Sequence, residues 1–161
     1  MKIFQLTLIT LAAYILQTTV LHQLLPVVPN LLMSLAVCYA LVGRRLSYAA
    51  IYGAACGLLL DISCRNVFGL HILMCLYISL LTAYVSGKFF KGKFITSVAF
   101  VAAASFLYEF AYYVLCFGMW GVGSAASALV SVVLPVTGLN TLVCAVLFFV
   151  MRHVTPEEQI L

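Results

Sequence analysis

The sequence predicts an all-α integral membrane protein, a bundle of six transmembrane helices, and three observations carry that prediction. First, the 161 residues are 66% hydrophobic and only 7% charged, whereas soluble domains carry about 25% charged residues. A chain this short could not hide so much apolar surface in a water-soluble core. Second, the apolar runs are continuous. Membrane barrels alternate apolar and polar residues with period two, so the need of a backbone in lipid to satisfy its own hydrogen bonds is met here by helices. Third, with the N-terminus on the cytoplasmic side, Lys2, Arg44, Arg45, Lys88, Lys91, Lys93 and Arg152 all fall inside and Arg65 alone falls outside. That is the positive-inside asymmetry, and it fits six spans with both termini cytoplasmic.

The first helix is expected over residues 3–21, long enough to cross a bilayer. A lysine ahead of an apolar run also opens signal peptides, but no small-x-small cleavage site follows, so the helix is read as uncleaved. Its outer half carries Gln17, Thr18 and Thr19. Pro26 and Pro29 mark a turn. The run from Leu31 to Val42 is too short for an upright span, so the second helix is expected over residues 26–42, borrowing from the proline side or sitting in thinned bilayer.

Gly43-Arg44-Arg45 ends that helix, and the third is expected over 46–62. A polar turn, Ser63 to Val67, leads to a fourth helix over 68–86. The basic turn Gly87 to Lys93 leads to a fifth over 94–117, which holds Glu109. Gly118 to Gly123 is a tight turn with Trp120, an interfacial anchor type. The sixth helix is expected over 124–151, kinked by Pro135 and Gly138. The loops are too short for a soluble module, so residues 1–161 read as one transmembrane domain.

Several function classes drop out. There is no H-E-x-x-H, G-x-S-x-G or Walker loop and no useful carboxylate pair, so no catalytic residues are assigned. The six cysteines, Cys38, Cys56, Cys64, Cys75, Cys116 and Cys144, make no C-x-x-C. They read as small apolar residues, with no metal or cofactor implied; Cys64, in a loop, is the one that could react. The net charge of +4 is scattered over short loops as topology signals, not as a nucleic-acid surface. Lys88 to Lys93 instead suits anionic membrane lipid.

Two constellations remain. Ala49, Gly53, Gly57 and Asp61 recur at i+4 and form one stripe on the third helix. The G-x-x-x-G pair lets a second backbone approach closely. This stripe is read as a groove for a partner helix, with packing inside the chain as the plainer alternative. Gln17, Asn30, Asp61, His71 and Glu109 all fall in the outer half and form a candidate polar pocket, because intramembrane polar groups turn to the bundle interior or to a cavity. Asp61 is read either as an ion pair with Arg65 or as a functional contact. Glu109 is either a structural carboxyl bonded by Tyr108, Tyr112 or Tyr113, or a ligand or partner site. His71 is an interfacial histidine or a proton relay, and Gln17 and Asn30 are helix–helix hydrogen bonds or caps.

The order of motifs resembles the MreD family of bacterial rod shape-determining membrane proteins. The matching residues are Leu16-Gln17-Thr18-Thr19, Pro29-Asn30-Leu31-Leu32, Gly53 with Gly57-Leu58-Leu59-Leu60-Asp61, Phe68-Gly69-Leu70-His71, and Lys88-Phe89-Phe90. The chain departs from the family at Asn30, where an acid is common, and Glu109 has no counterpart there. The resemblance implies a non-enzymatic scaffold of the cell-wall elongation machinery in the cytoplasmic membrane. It would bind MreC, and through it MreB, RodA and the penicillin-binding transpeptidase of RodA. The family is also similar in fold to the substrate-binding S components of energy-coupling-factor vitamin transporters. The alternative reading is therefore a small-molecule-binding subunit of that kind. Against it, the first helix has Ala12 and Ala13 side by side and lacks the alanines four apart that S components commonly use for docking.

Overall fold

A computed structural model describes residues 2–43, 45–63, 68–89, 94–116 and 129–154 of the chain. They form six helices in antiparallel succession. Helix α1 (Lys2–Ile15) runs on through a π-helical segment, Leu16–Leu21, and a last turn, His22–Leu24. Then come α2 (Leu31–Gly43), α3 (Leu46–Ser63), α4 (Leu70–Phe89) and α5 (Phe94–Cys116). A second π-helical segment, Leu129–Val133, leads into α6 (Leu134–Val154). Five of the helices are long and apolar enough to cross a membrane, and α2 is the shorter sixth. Large apolar side chains such as Phe4, Ile51, Tyr77, Leu142 and Val146 stand exposed around the bundle, a surface suited to lipid and untenable in water.

The short helix is the centre. Every residue from Leu31 to Val42 is buried, and α2 packs against α1, α3, α4, α5 and α6. A helix apolar on all sides belongs inside a bundle or in lipid; here the neighbours are protein. The expected borrowing or bilayer thinning is therefore unnecessary. At 1.5 Å per residue the 13-residue helix is about 20 Å long, against about 30 Å of hydrocarbon, and its enclosure frees it from matching the bilayer.

The helix also begins later than the sequence suggested. Residues 25–30 are non-helical, and α2 starts at Leu31 rather than near residue 26. Pro29 disfavours helical backbone at Val28, and Asn30 supplies the cap: its Oδ1 accepts the Met33 N–H at 3.1 Å. The fourth helix likewise starts at Leu70, two residues late, because Phe68 and Gly69 form a turn. Gly69 has φ +97°, the left-handed region in which glycine is free of the Cβ penalty.

Pro135 sits one residue past the change from π to α winding at Leu134. Proline removes one i−4 hydrogen bond, and a π turn is one way a helix absorbs that loss. In α1 the π segment coincides with threonines that bond back along the helix: Thr18 Oγ1 donates to the Tyr14 carbonyl at 2.9 Å and Thr19 Oγ1 to that of Ile15. Trp120, Cys64, Arg65, Lys91 and Lys93 lie outside the described residues.

Candidate functional site: a polar cavity beyond the short helix

The small-residue stripe faces α4. Ala49, Gly53, Gly57 and Asp61 are all buried. A Cβ on Gly57 would lie 2.5 Å from the His71 carbonyl oxygen and 2.6 Å from the Ile72 Cα; one on Gly53 would lie 2.8 Å from the Cys75 carbonyl oxygen. Ala49 packs with Ala40 of α2 and Ala83 of α4. The room these residues leave is thus filled by the chain's own α4. Of the two readings of Ala49, Gly53, Gly57 and Asp61, a partner-helix groove or packing inside the chain, the structure shows the second: two backbones approach closely, and they are neighbours in sequence.

Asp61, only 2% exposed, closes that same contact. Its Oδ1 accepts the His71 N–H at 3.1 Å, and its Oδ2 accepts the N–H groups of Gly69 at 3.0 Å and Ile72 at 3.1 Å. These are the donors that a helix N-terminus leaves without intrahelical partners, and a carboxylate there also meets the positive end of the helix dipole. Asp61 is thus a cap supplied to α4 from the last turn of α3. The alternative ion pair with Arg65 falls on a residue outside those described.

Beyond the N-terminus of α2, at the end where α1, α3 and α5 finish and α2, α4 and α6 begin, lies a cavity of about 520 Å³. The shortness of α2 leaves this space. Gln17 and Tyr14 reach it from α1, Asn30 from the start of α2, Ser63 from α3, His71 from α4, and Glu109 with Tyr108 and Tyr112 from α5. Gln17, Asn30, His71 and Glu109 of the expected polar pocket are therefore brought together around one space. Asp61 does not line it and acts behind it, through the backbone of His71.

Most polar groups of the wall are tied to one another. Gln17 Oε1 accepts the Leu32 N–H at 3.3 Å. Ser63 Oγ lies 3.0 Å from the Tyr14 hydroxyl. The Tyr108 hydroxyl is hydrogen-bonded to His71 Nδ1, so it is engaged by the histidine rather than by Glu109, and the Tyr112 ring stacks on the imidazole at 4.9 Å. No hydrogen bond or ion pair from another described residue reaches the Glu109 carboxyl.

Sequence reasoning missed Asn140. Fully buried on α6, it accepts the Asn30 N–H on Oδ1 at 2.6 Å and donates from Nδ2 to Ser105 Oγ at 2.6 Å. It ties α6 to both α2 and α5 just under the cavity floor. A lone amide inside an apolar run was the available signal.

No curated protein and no solved structure matches the chain. The family model described as MreD, rod shape-determining protein MreD, matches residues 1–155. The resemblance first carried by the Gln17, Asn30, Gly57–Asp61 and Phe68–His71 segments extends over nearly the whole bundle, and the chain belongs to the MreD family of rod shape-determining membrane proteins.

Proposed function

We propose that the chain is a non-enzymatic scaffold subunit of the bacterial cell-wall elongation complex. It binds MreC in the cytoplasmic membrane, and through MreC it connects MreB filaments to RodA and the partner transpeptidase of RodA. The family match over residues 1–155 carries this reading. Both termini are cytoplasmic in this account. Arg45 precedes α3 and Lys88 lies in the last turn of α4, at the bundle end opposite the cavity, which agrees with positive charge held inside. Because the small-residue stripe is used within the chain, a partner helix meets the outward apolar surface instead.

Capture of the tagged full-length protein from native membranes, followed by mass spectrometry, tests the proposal. Recovery of MreC with RodA and the transpeptidase supports it. The cavity favours one second reading, a substrate-binding subunit with the fold of a transporter S component. Under that reading the same capture recovers an ATP-binding-cassette pair with a shared membrane subunit.

A further inference from the structure

The cavity contains one carboxylate that no described residue answers. Glu109 projects from α5 into the wall, and no described side chain or backbone donor pairs with it. An unpaired carboxylate held inside a membrane bundle is costly, and a cation beside it relieves that cost. Among the described residues no lysine or arginine lines the space; the basic types present are His71, already bonded to Tyr108, and His22 at the exposed mouth.

The rest of the wall favours a cation over an anion. The N-termini of α2 and α4 point toward this end, and free helix N-termini attract anions. Here, however, their donors are spent: the Leu32 and Met33 N–H groups go to Gln17 and Asn30, and those of Gly69, His71 and Ile72 to Asp61. The Asp61 carboxylate also offsets the positive end of α4. Beside the Glu109 carboxylate, the lining offers the side-chain amides of Gln17 and Asn30, which suit the polar remainder of a ligand, and the aromatic side chains of Tyr14 and Tyr112. Aromatic faces beside a carboxylate are the chemistry that recognises an ammonium group. The volume, about 520 Å³, falls in the range of about 300–1,000 Å³ typical of small-molecule sites.

We propose that this cavity binds a compound bearing an ammonium group, with Glu109 as its counter-ion and the tyrosines as its wall. Two sources share that chemistry, a free amine such as choline or ethanolamine and the headgroup of a zwitterionic phospholipid. The proposal involves no other subunit of the elongation complex, so it stands or fails separately from the scaffold reading.

The test uses the purified full-length protein in maltoside detergent and in phosphatidylglycerol vesicles with or without phosphatidylethanolamine. Dicyclohexylcarbodiimide, which modifies carboxyl groups in apolar surroundings, is expected to label Glu109, and peptide mass spectrometry reads the rate. Bound ammonium slows labelling by about fivefold or more. Protection by choline or ethanolamine identifies a soluble source. Protection by phosphatidylethanolamine alone identifies the lipid. Glu109→Gln is expected to lower choline or phosphatidylethanolamine retention, read by native mass spectrometry, by about tenfold or more, and Tyr112→Leu to weaken choline by about threefold or more. A labelling rate indifferent to all three probes overturns the proposal, as does wild-type retention by a folded Glu109→Gln protein. Should that variant not fold, the protection experiment on the unaltered chain decides alone.

Discussion

Asp61 holds His71 by its backbone: the carboxylate on the last turn of α3 accepts the His71 N–H at 3.1 Å, and so fixes where α4 begins. The side chain of the same histidine faces the cavity, bonded to Tyr108 and stacked on Tyr112. One carboxylate therefore sets both the α3–α4 packing and the position of a cavity wall.

Asp61→Ala removes the acceptor for three buried N–H groups. A loss of about 2–4 kcal/mol is expected, given the usual cost of leaving buried donors unpaired next to a helix end. Asp61→Asn keeps one acceptor oxygen and is expected to lose about half as much. Equilibrium unfolding in mixed detergent measures both. Equal stability of the Ala variant and wild type would show that these N–H groups find other partners.

Gly57 on α3 and Gly138 on α6 supply a graded comparison. Gly57→Ala drives a Cβ to 2.5 Å from the His71 carbonyl oxygen and 2.6 Å from the Ile72 Cα, backbone atoms that cannot swing away. It is expected to cost about 1–3 kcal/mol, the usual range for overpacking. Gly138→Ala on α6 meets nothing within 4 Å and is expected to be neutral or slightly stabilising. Thermal melting in detergent separates the two. A Gly57→Ala protein as stable as Gly138→Ala would place the stripe at a surface.

Asn140→Leu is expected to destabilise by about 1–3 kcal/mol, because the Asn30 N–H loses its acceptor while Ser105 loses its donor. Ser105→Ala removes only the second bond and should cost less. If the two variants unfold alike, the α2 end of the amide is not being used.

The thiols of Cys38 on α2 and Cys144 on α6 lie 3.2 Å apart in the core. In a variant with the other four cysteines changed to alanine, copper-phenanthroline oxidation is expected to close an intramolecular disulfide, read as loss of two thiols per chain after denaturation with no dimer on a non-reducing gel. Two thiols that remain free to alkylation would place α6 away from the central helix.

Helix number and approximate position were legible because apolar runs bounded by glycine, proline and charge leave few alternatives. The centrality of α2 was not. A helix wrapped in protein and one wrapped in lipid are both apolar on every side, so the composition of Leu31–Val42 could not tell them apart. Its shortness is the one clue, and shortness alone points equally to mismatch with the bilayer. The stripe of Ala49, Gly53 and Gly57 marked a close approach correctly, but i+4 spacing on one helix is silent about which helix approaches. Arg65, four residues along, is the opposite charge that the sequence sets nearest Asp61. The actual partners of Asp61 lie eight to eleven residues along, across a turn whose geometry depends on the positive φ of Gly69. The convergence of Gln17, Asn30, His71 and Glu109 follows from counting depth along each helix, whereas Asn140, a lone amide in an apolar run, carries no sign of which side of α6 faces inward.

The most direct test of a shape-determining role is depletion of the protein in its own rod-shaped host, with cell outline followed by microscopy and re-expression from a plasmid as the control. The expected result is that depleted cells widen and round up, that the wild-type chain restores rods, and that the Asp61→Ala chain restores them poorly because less of it folds. Cells that keep the width and outline of undepleted rods after the protein has disappeared would contradict the account.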